Sequence, residues 1–274
     1  MSVPQILQPW SLSGKTAIVT GASRGIGRAI VLYLVKKGAT RIAITYAKGV
    51  DAAEYVIEKC RSLGAKEVIA IQADLLDPVI ATKIVKEVLE QFDTTTIDIV
   101  VNNAALTDQT KWQPIADTTL EIFSQNMHAN VYATLAIINA CMPYFPTYGG
   151  RVINISSVAS KTANSDPNFV YGASKAALDS ITRSYAATFA TAKNATFNTV
   201  SVGPTETEAF QSNIELSSTP KSVVAQLVTA GARIGVPEDI AYIVGFLASE
   251  EGRWVNGANV SASGGFMPVI ALQG

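Results

Sequence analysis

The chain has 274 residues, of which 48% are hydrophobic and 16% are charged, and its formal net charge is -1. Such a composition can bury a large core, which argues against a disordered protein. It has neither the basic excess of a nucleic-acid-binding protein nor an acidic tail. The N-terminus lacks a basic segment before an apolar run, and no stretch is long enough to span a bilayer. We therefore expect a cytoplasmic protein that does not contact membranes.

Seven short segments rich in apolar and β-branched residues predict strands. They alternate with longer segments of helical periodicity, and the first strand is a continuous apolar run, typical of a strand buried on both faces. This alternation predicts one α/β domain over 1–274, built on a doubly wound, mostly parallel seven-stranded sheet with helices on both faces. The predicted strands cover 15–20, 41–46, 67–72, 98–102, 150–157, 196–202 and 258–263.

The predicted helices are delimited by apolar spacing and by capping signals at their ends. Asp77 followed by Pro78 is typical of a helix start, and Thr118 lies three residues before a glutamate, as in a capping box. The predicted helices cover 25–38, 51–64, 77–92, 118–142, about 170–192 and 237–249.

The segment TGASRGIG (20–27) lies between the first strand and the first helix. Gly21, Gly25 and Gly27 allow a sharp turn and a close approach of the backbone to a pyrophosphate, and the helix N-terminus adds free N–H groups and a positive dipole end. The spacing differs from GxGxxG, and a glycine-rich turn alone could be purely structural. Because the turn opens a βαβ unit, it predicts a Rossmann-type dinucleotide-binding domain.

The end of the second predicted strand favours NADP over NAD as the dinucleotide. NAD-binding folds usually place an acid there for the ribose 2′-hydroxyl, whereas this chain reads TYAKG over 45–49. Arg24 and Lys48 could each face a 2′-phosphate. Arg24 is the better candidate because the glycine loop places it beside the cofactor, while Lys48 could equally be a solvated loop lysine.

Cysteine and histidine residues predict no metal site. Cys60 and Cys141 lie far apart and form no CxxC motif, so we expect both to be reduced and buried. His128 is the one histidine of the sequence, and no cluster of cysteine, histidine and acidic residues has metal-site spacing.

The motifs together resemble the short-chain dehydrogenase/reductase family, from about residue 12 to residue 265. The resemblance is specific because the motifs occur in order and at the family spacing. They are TGASRGIG (20–27), AD (73–74), NNAA (102–105), Asn130, SSV (156–158), YGASK (171–175), GPTET (203–207) and GVPEDIA (235–241). Within the family, the chain is most similar to carbonyl reductases of the β-ketoacyl and fungal polyketide type.

The resemblance implies four catalytic residues. Tyr171 would donate a proton to a carbonyl oxygen while NADPH delivers hydride to the carbon. Lys175, four residues later on the same helix face, would hold the nicotinamide ribose and move the pKa of Tyr171 towards neutrality. Ser157 would hydrogen-bond the substrate oxygen. Asn130 would hold a water in the proton relay to Lys175, although it could instead be a buried asparagine satisfied by the backbone.

The resemblance also implies which residues bind the cofactor. Asp74 matches an acid that contacts the adenine, although it could simply cap a loop, and Thr205 and Thr207 match a segment that contacts the nicotinamide carboxamide. The expected cofactor-binding residues are Gly21, Ser23, Arg24, Gly25, Ile26, Gly27, Tyr46, Ala47, Lys48, Asp74, Leu75, Asn103, Ala104, Tyr171, Lys175, Pro204, Thr205 and Thr207.

Two segments are expected to enclose the substrate. The resemblance implies a mobile lid over about 205–231, and the apolar residues of this segment predict a partly apolar pocket, although some of them could simply pack onto the core. The other expected wall is 162–169, where Asp166 could meet a polar or cationic substrate group or cap its own loop. Ala105, Val202 and Ser263 depart from the common family pattern, and none of these departures removes a catalytic group.

The sequence therefore predicts an NADPH-dependent oxidoreductase of secondary metabolism that reduces a ketone or an imine of a small, partly apolar substrate. Two alternatives remain open: a non-redox enzyme (isomerase, dehydratase or cyclase) that binds NADP structurally, and a nucleotide-sensing protein without turnover. The resemblance also implies a homo-oligomer, a tetramer or a dimer, formed through the helices near 118–142 and 170–192. The small residues of those helices could instead pack within one subunit.

Overall fold

A computed structural model describes residues 8–107, 113–164, 166–216 and 219–270. Within these residues, seven strands form one sheet in the order β3-β2-β1-β4-β5-β6-β7, and all neighbouring strands run parallel. The predicted α/β, doubly wound fold is confirmed. The strands are β1 Thr16–Val19, β2 Arg41–Tyr46, β3 Glu67–Gln72, β4 Ile99–Asn102, β5 Gly150–Ser157, β6 Ala195–Val202 and β7 Asn259–Ala262.

Helices cover both faces of the sheet, because the buried strand residues point alternately to the two sides. Ala17 and Val19 of β1 belong to the core packed by α1, α2 and α9, whereas Ile18 belongs to the core packed by α3, α5 and α6. The helices are α1 Gly25–Lys36, α2 Val50–Ser62, α3 Ile80–Gln91, α4 Leu120–Met127, α5 Ala133–Cys141, α6 Phe169–Lys193, α7 Glu208–Leu216, α8 Lys221–Gln226, α9 Pro237–Ala248 and α10 Met267–Ile270. Short 3-10 turns cover Ile115–Asp117, Met142–Tyr144, Val158–Ser160 and Glu250–Gly252.

The predicted start of α3 is wrong. The helix begins at Ile80 after Val79, rather than after Asp77. The Asp77 carboxylate accepts a hydrogen bond from the backbone N–H of Val79 at 3.0 Å, so it closes a turn ahead of the helix. Short acidic side chains readily make such local bonds, which compete with helix initiation.

The predicted helix over 118–142 is interrupted. Thr119 rather than Thr118 is the N-cap of α4, and its hydroxyl accepts a hydrogen bond from the N–H of Ile122 at 3.3 Å. A π-helical turn, His128–Tyr132, separates α4 from α5. Such turns occur mostly as single-turn insertions in α-helices, frequently at functional sites, and this one contains Asn130.

The surface of the described chain adds two observations. None of the helices described here is both long and apolar enough to cross a membrane. Leu120, Phe123 and Tyr132 are exposed along α4 and the π-helical turn. This is one of the helices for which we expect subunit contacts, and the homo-oligomer stays a prediction.

Candidate active site

The glycine loop leaves the carboxyl end of β1 and enters α1 through two left-handed residues. Gly21 has φ +62° and Gly25 has φ +53°, a backbone region that glycine adopts without strain. A Cβ on Gly21 would lie 2.8 Å from the Cα of Ala104, and a Cβ on Gly27 would lie 2.5 Å from the carbonyl oxygen of Gly21. The loop over 20–27 is therefore a concave stretch of backbone, without room for larger side chains at Gly21 and Gly27, at a helix N-terminus. This glycine cradle fits the pyrophosphate of a dinucleotide.

Side chains of neighbouring strands hold this loop in place. Asn103 donates from its side-chain amide to the carbonyl oxygens of Thr20 and Gly21, both at 3.0 Å. The Thr20 hydroxyl accepts from the backbone N–H groups of Asn103 and Ala104, and the Thr45 hydroxyl accepts from the N–H of Gly21 at 3.1 Å. Thr20 and Thr45 support the loop although neither is among the predicted site residues. The sequence feature that points to them is a threonine at the end of each of two apolar strands.

The expected cofactor-binding residues all lie at the carboxyl edge of the sheet, around the point between β1 and β4 where the strand order reverses. Ligands of doubly wound sheets bind at this edge. The residues beyond the glycine loop and α6 follow four strands: Tyr46, Ala47 and Lys48 at the end of β2; Asp74 and Leu75 after β3; Asn103 and Ala104 after β4; Pro204, Thr205 and Thr207 after β6.

Several of these side chains already have a structural role. Asp74 accepts a hydrogen bond from the N–H of Leu76 at 2.9 Å, which is the loop-capping alternative. The Thr205 hydroxyl donates to the carbonyl oxygen of Gly203, and the Thr207 hydroxyl accepts from the N–H of Phe210. These bonds shape the loops themselves. Arg24 and Lys48, by contrast, have exposed side chains.

Ser157 and Tyr171 form a hydroxyl pair at the end of β5 and the start of α6. The Tyr171 hydroxyl is hydrogen-bonded to Ser157, whose oxygen also accepts from the N–H of Ala159 at 3.2 Å. Burial raises the pKa of Tyr171 to about 12, and the hydrogen bond with Ser157 lowers it by less than burial raises it. The expected move of this pKa towards neutrality is wrong for this structure, because burial of the phenol dominates.

Lys175 lies beside this pair, almost completely buried. Its ammonium donates to the carbonyl oxygen of Ile155 at 2.9 Å and lies 5.6 Å from the centre of the Tyr171 ring. Burial lowers the pKa of Lys175 to about 8, and the nearby Asp179 acts in the opposite direction. Ser157, Tyr171 and Lys175 are thus brought together by β5 and α6.

Asn130 ties the chain after β4 to α6. Its side-chain oxygen accepts from the N–H of Leu106 at 2.7 Å, and its amide donates to the Ser174 hydroxyl at 3.1 Å. Ser174 in turn donates to the carbonyl oxygen of Tyr171 at 2.7 Å. The Asn130 side chain is therefore satisfied by the protein, as in the alternative interpretation, and its role in a proton relay stays a prediction.

The loop before α6 is held by hydrogen bonds to two neighbouring segments. Asp166 accepts from the N–H of Ile115 at 2.9 Å, so it holds a neighbouring loop. Asn164 donates to the carbonyl oxygen of Ala159 at 2.8 Å, and it packs so tightly on Gly172 that a Cβ there would lie 2.1 Å from the Asn164 amide nitrogen. Residues 165, 217 and 218 of the expected pocket walls lie outside the described residues.

A metal centre is absent from the part of the chain that the structure describes, where no group of three or more His, Cys, Asp or Glu side chains could hold an ion. Both cysteines are free thiols in the core, and burial raises the pKa of each to about 12. The reactive side chains that the described residues bring together at this edge of the sheet are those of Ser157, Tyr171 and Lys175.

Known proteins are similar to this chain in both fold and sequence. Residues 21–267 match the sequence model of a family described as enoyl-(acyl carrier protein) reductase. The short chain dehydrogenase penD of Penicillium thymicola is 57% identical over 263 residues, which cover 96% of this chain and 95% of penD. The short chain dehydrogenase asqE of Emericella nidulans is 54% identical over 265 residues, which cover 96% of this chain and 97% of asqE.

A solved structure links the fold to a bound cofactor. The angucycline C-6 ketoreductase LanV with bound NADP superimposes with a TM-score of 0.84 and 35% identity, over 94% of this chain and 97% of LanV. Together with the glycine cradle, this likeness assigns NADP(H) as the cofactor. The chain belongs to the short-chain dehydrogenase/reductase family and is an NADP(H)-dependent oxidoreductase.

Proposed function

We propose that this chain reduces the C=O group of a ketone, or the C=N group of an imine, in a small and partly apolar substrate. The observation that carries the proposal is the hydroxyl pair of Ser157 and Tyr171, held beside the ammonium of Lys175 at the same sheet edge as the glycine loop. The name of LanV, a ketoreductase, favours the ketone over the imine.

Tyr171 is suited to be the proton donor of this reaction. Because burial raises its pKa to about 12, the phenol keeps its proton at neutral pH. NADPH, when bound, supplies the hydride that the substrate carbon accepts. The oxygen of the substrate gains negative charge during that transfer, and the Tyr171 hydroxyl would neutralise it by giving up its proton.

Ser157 and Lys175 would support that proton transfer from two sides. The Ser157 hydroxyl lies next to the Tyr171 hydroxyl, so a substrate oxygen between the two would receive two hydrogen bonds. The ammonium of Lys175 favours the phenolate that remains after Tyr171 has lost its proton. The two groups therefore stabilise charge that is present only during or after the transfer, which is how a site accelerates a reaction.

The segment over about 205–231 is suited to cover the substrate. Its described residues include α7 and α8, and an ion pair between Glu206 and Lys221 joins the loop after β6 to the start of α8. Val223 and Leu227 on and after α8 are partly exposed, so they are available to line an apolar pocket.

Consumption of NADPH, followed by its absorbance, tests the proposal. We would assay a panel of ketones and imines in parallel with NADPH and with NADH, and identify the alcohol or amine product by mass spectrometry. Turnover linked to NADPH with a reduced product supports the proposal. Tight NADPH binding without reduction of any compound on a broad panel would count against it and would favour the non-redox or sensing alternatives.

Arg24 should contribute to the choice of NADPH over NADH. It precedes α1 at the glycine loop and has an exposed side chain. If its guanidinium binds the 2′-phosphate, Arg24→Ala should raise the KM for NADPH by about tenfold, or about 1.4 kcal/mol, and leave the KM for NADH unchanged. Lys48→Ala tests the second candidate in the same assay.

The matched control is Arg61→Ala, which removes an exposed arginine from the last turn of α2. This turn lies near the amino end of the sheet, so neither KM should change. If Arg24→Ala and Lys48→Ala both leave the KM for NADPH at the wild-type value, other residues recognise the 2′-phosphate.

A further inference from the structure

Asp179 is a buried acid that the proposed mechanism does not use. It lies one turn after Lys175 on α6, and residues four apart on a helix lie on the same side. Asp179 is 6% exposed and Lys175 is 3% exposed. The Oδ1 atom of Asp179 is buried, and no hydrogen-bond donor for it is found among the described residues. A buried carboxylate with an unsatisfied oxygen is costly unless a positive charge lies nearby.

The sheet face beneath α6 is polar. The amide of Asn154 on β5 donates to the Thr182 hydroxyl of α6 at 2.9 Å, which shows that this face of β5 lies under the helix. Ser156, two residues further along β5, lies on the same face, and its buried hydroxyl has no partner within the described ranges. Asp179 is therefore part of a helix that covers polar groups, and is not an isolated charge in an apolar core.

Lys175, one turn before Asp179, is the cation on the buried side of α6, whereas Arg183, one turn after Asp179, has an exposed side chain. Burial lowers the pKa of Lys175, and Asp179 is the charged group that raises it. α6 packs against β5, β6, α4, the π-helical turn and the turn Val158–Ser160. Neither β6 nor the turn Val158–Ser160 has an ionisable side chain. Of the ionisable side chains on the other elements, Arg151 at the amino end of β5 pairs with Glu250. The rings of His128 and Tyr132 contact each other at a tilt, and Glu121 is exposed.

We propose that Asp179 is a positioning residue that keeps the Lys175 side chain charged, and that it thereby sets the alkaline limit of turnover. The consequence for turnover rests on the proposed function, in which Lys175 acts as an ammonium. The consequence for the charge of Lys175 does not depend on any substrate. The charged amine lies in a buried site where loss of contact with solvent disfavours its charge, and the carboxylate one turn away offsets that effect.

Asp179→Asn tests the proposal because it keeps the size of the side chain and removes its charge. We expect the titration midpoint of Lys175 to fall by about one pH unit, since an opposite charge nearby contributes about one to three units. The alkaline limb of the kcat profile should move by the same amount. Near about pH 8 this shift lowers kcat about fivefold, because a smaller fraction of Lys175 is charged. Asp179→Glu keeps a carboxylate and should keep the limb near its wild-type position.

The matched control is Asp98→Asn. Asp98 is also 6% exposed, and it accepts hydrogen bonds from the Lys15 ammonium and the Thr16 N–H, both at 2.9 Å, at the amino end of β4. Its replacement should lower stability without moving the titration of Lys175. A general loss of packing or of a buried charge would affect both variants, whereas the proposed role affects only the variant at residue 179.

The charge of Lys175 can be measured without turnover. The full chain, labelled with ¹³C at the lysine ε-carbons and assigned with Lys175→Arg, would be titrated by NMR in its wild-type, Asp179→Asn, Asp179→Glu and Asp98→Asn forms. A lower Lys175 midpoint in Asp179→Asn alone supports the proposal. An unchanged midpoint in the folded Asp179→Asn variant overturns it. Asp179→Ala is the same test if the asparagine variant does not fold. If the Lys175 midpoint is lower in Asp179→Asn but the wild-type protein reduces no compound, the role of Asp179 is supported and only the proposed function is contradicted.

Discussion

Replacing Tyr171 with phenylalanine should lower kcat by about 10²- to 10⁴-fold, the usual contribution of a positioned general acid. The substitution removes the hydroxyl that carries the proton and leaves the ring, so the packing of α6 on β5 should be kept. Ser157 would then lose its partner at the substrate oxygen. Because the glycine loop is untouched, the variant should still bind NADPH, as measured by calorimetry or by quenching of intrinsic fluorescence.

Tyr185→Phe is the control for this substitution. Tyr185 lies on the same helix, is also buried, and its hydroxyl donates to the side-chain oxygen of Asn139 at 2.7 Å. Its loss should cost stability of about 1 kcal/mol, the usual contribution of one hydrogen bond, and leave kcat near the wild-type value. Tyr171→Phe with more than about a tenth of the wild-type kcat would exclude Tyr171 as the proton donor.

The same pair of variants separates the three interpretations of the chain. A reductase loses NADPH consumption in Tyr171→Phe and keeps it in Tyr185→Phe. A non-redox enzyme that binds NADP structurally consumes no NADPH in any form but still transforms its substrate. A sensing protein binds NADPH in every form and turns over nothing, and the presence of Ser157, Tyr171 and Lys175 in one cluster then has no catalytic explanation.

The strands could be predicted from the sequence because most of them are short apolar runs bounded by turn residues, and β1, β4, β5 and β6 are buried along nearly their whole length. β2, β3 and β5 have the bounds that the apolar runs indicated, 41–46, 67–72 and 150–157. The glycine loop could also be predicted, since its three glycines follow a strand and open a helix. In both cases the local sequence and the tertiary fold impose the same constraint, so a local pattern is sufficient.

The features that could not be predicted depend on contacts between distant segments. Thr20 follows β1 and Thr45 lies near the end of β2, and a threonine at a strand end does not by itself indicate that the two hydroxyls bond to the same region. The Asn130 side chain in the π-helical turn hydrogen-bonds to Leu106 and Ser174, which are distant from it in the sequence. The pKa of Tyr171 depends on how deeply the phenol is buried, a quantity that the spacing of Tyr171 and Lys175 does not contain.

Gly27→Ala should weaken NADPH binding by about 100-fold, or about 2.7 kcal/mol. The new methyl group would lie 2.5 Å from the carbonyl oxygen of Gly21 and 2.6 Å from the side-chain amide of Asn103. These are the two groups that hydrogen-bond to each other to hold the loop, so neither can move without opening the cradle. The N-terminus of α1 would have to shift away from the position that suits a pyrophosphate, and overpacking of this kind also costs about 1–3 kcal/mol of stability.

Thermal unfolding with and without NADPH distinguishes loss of the cradle from general damage. In the wild type, NADPH at about 100 times its Kd should add about 2.7 kcal/mol of stability, and in Gly27→Ala this gain should largely disappear. Gly64→Ala is the control: its φ of +97° makes alanine strained, but a Cβ there meets nothing within 4 Å, and it lies before β3 at the amino end of the sheet. That variant should lose about 1 kcal/mol and keep the full gain from NADPH. If Gly27→Ala keeps the gain as well, the cofactor does not depend on the close contact between α1 and the loop, and the pyrophosphate must be bound elsewhere along the carboxyl edge of the sheet.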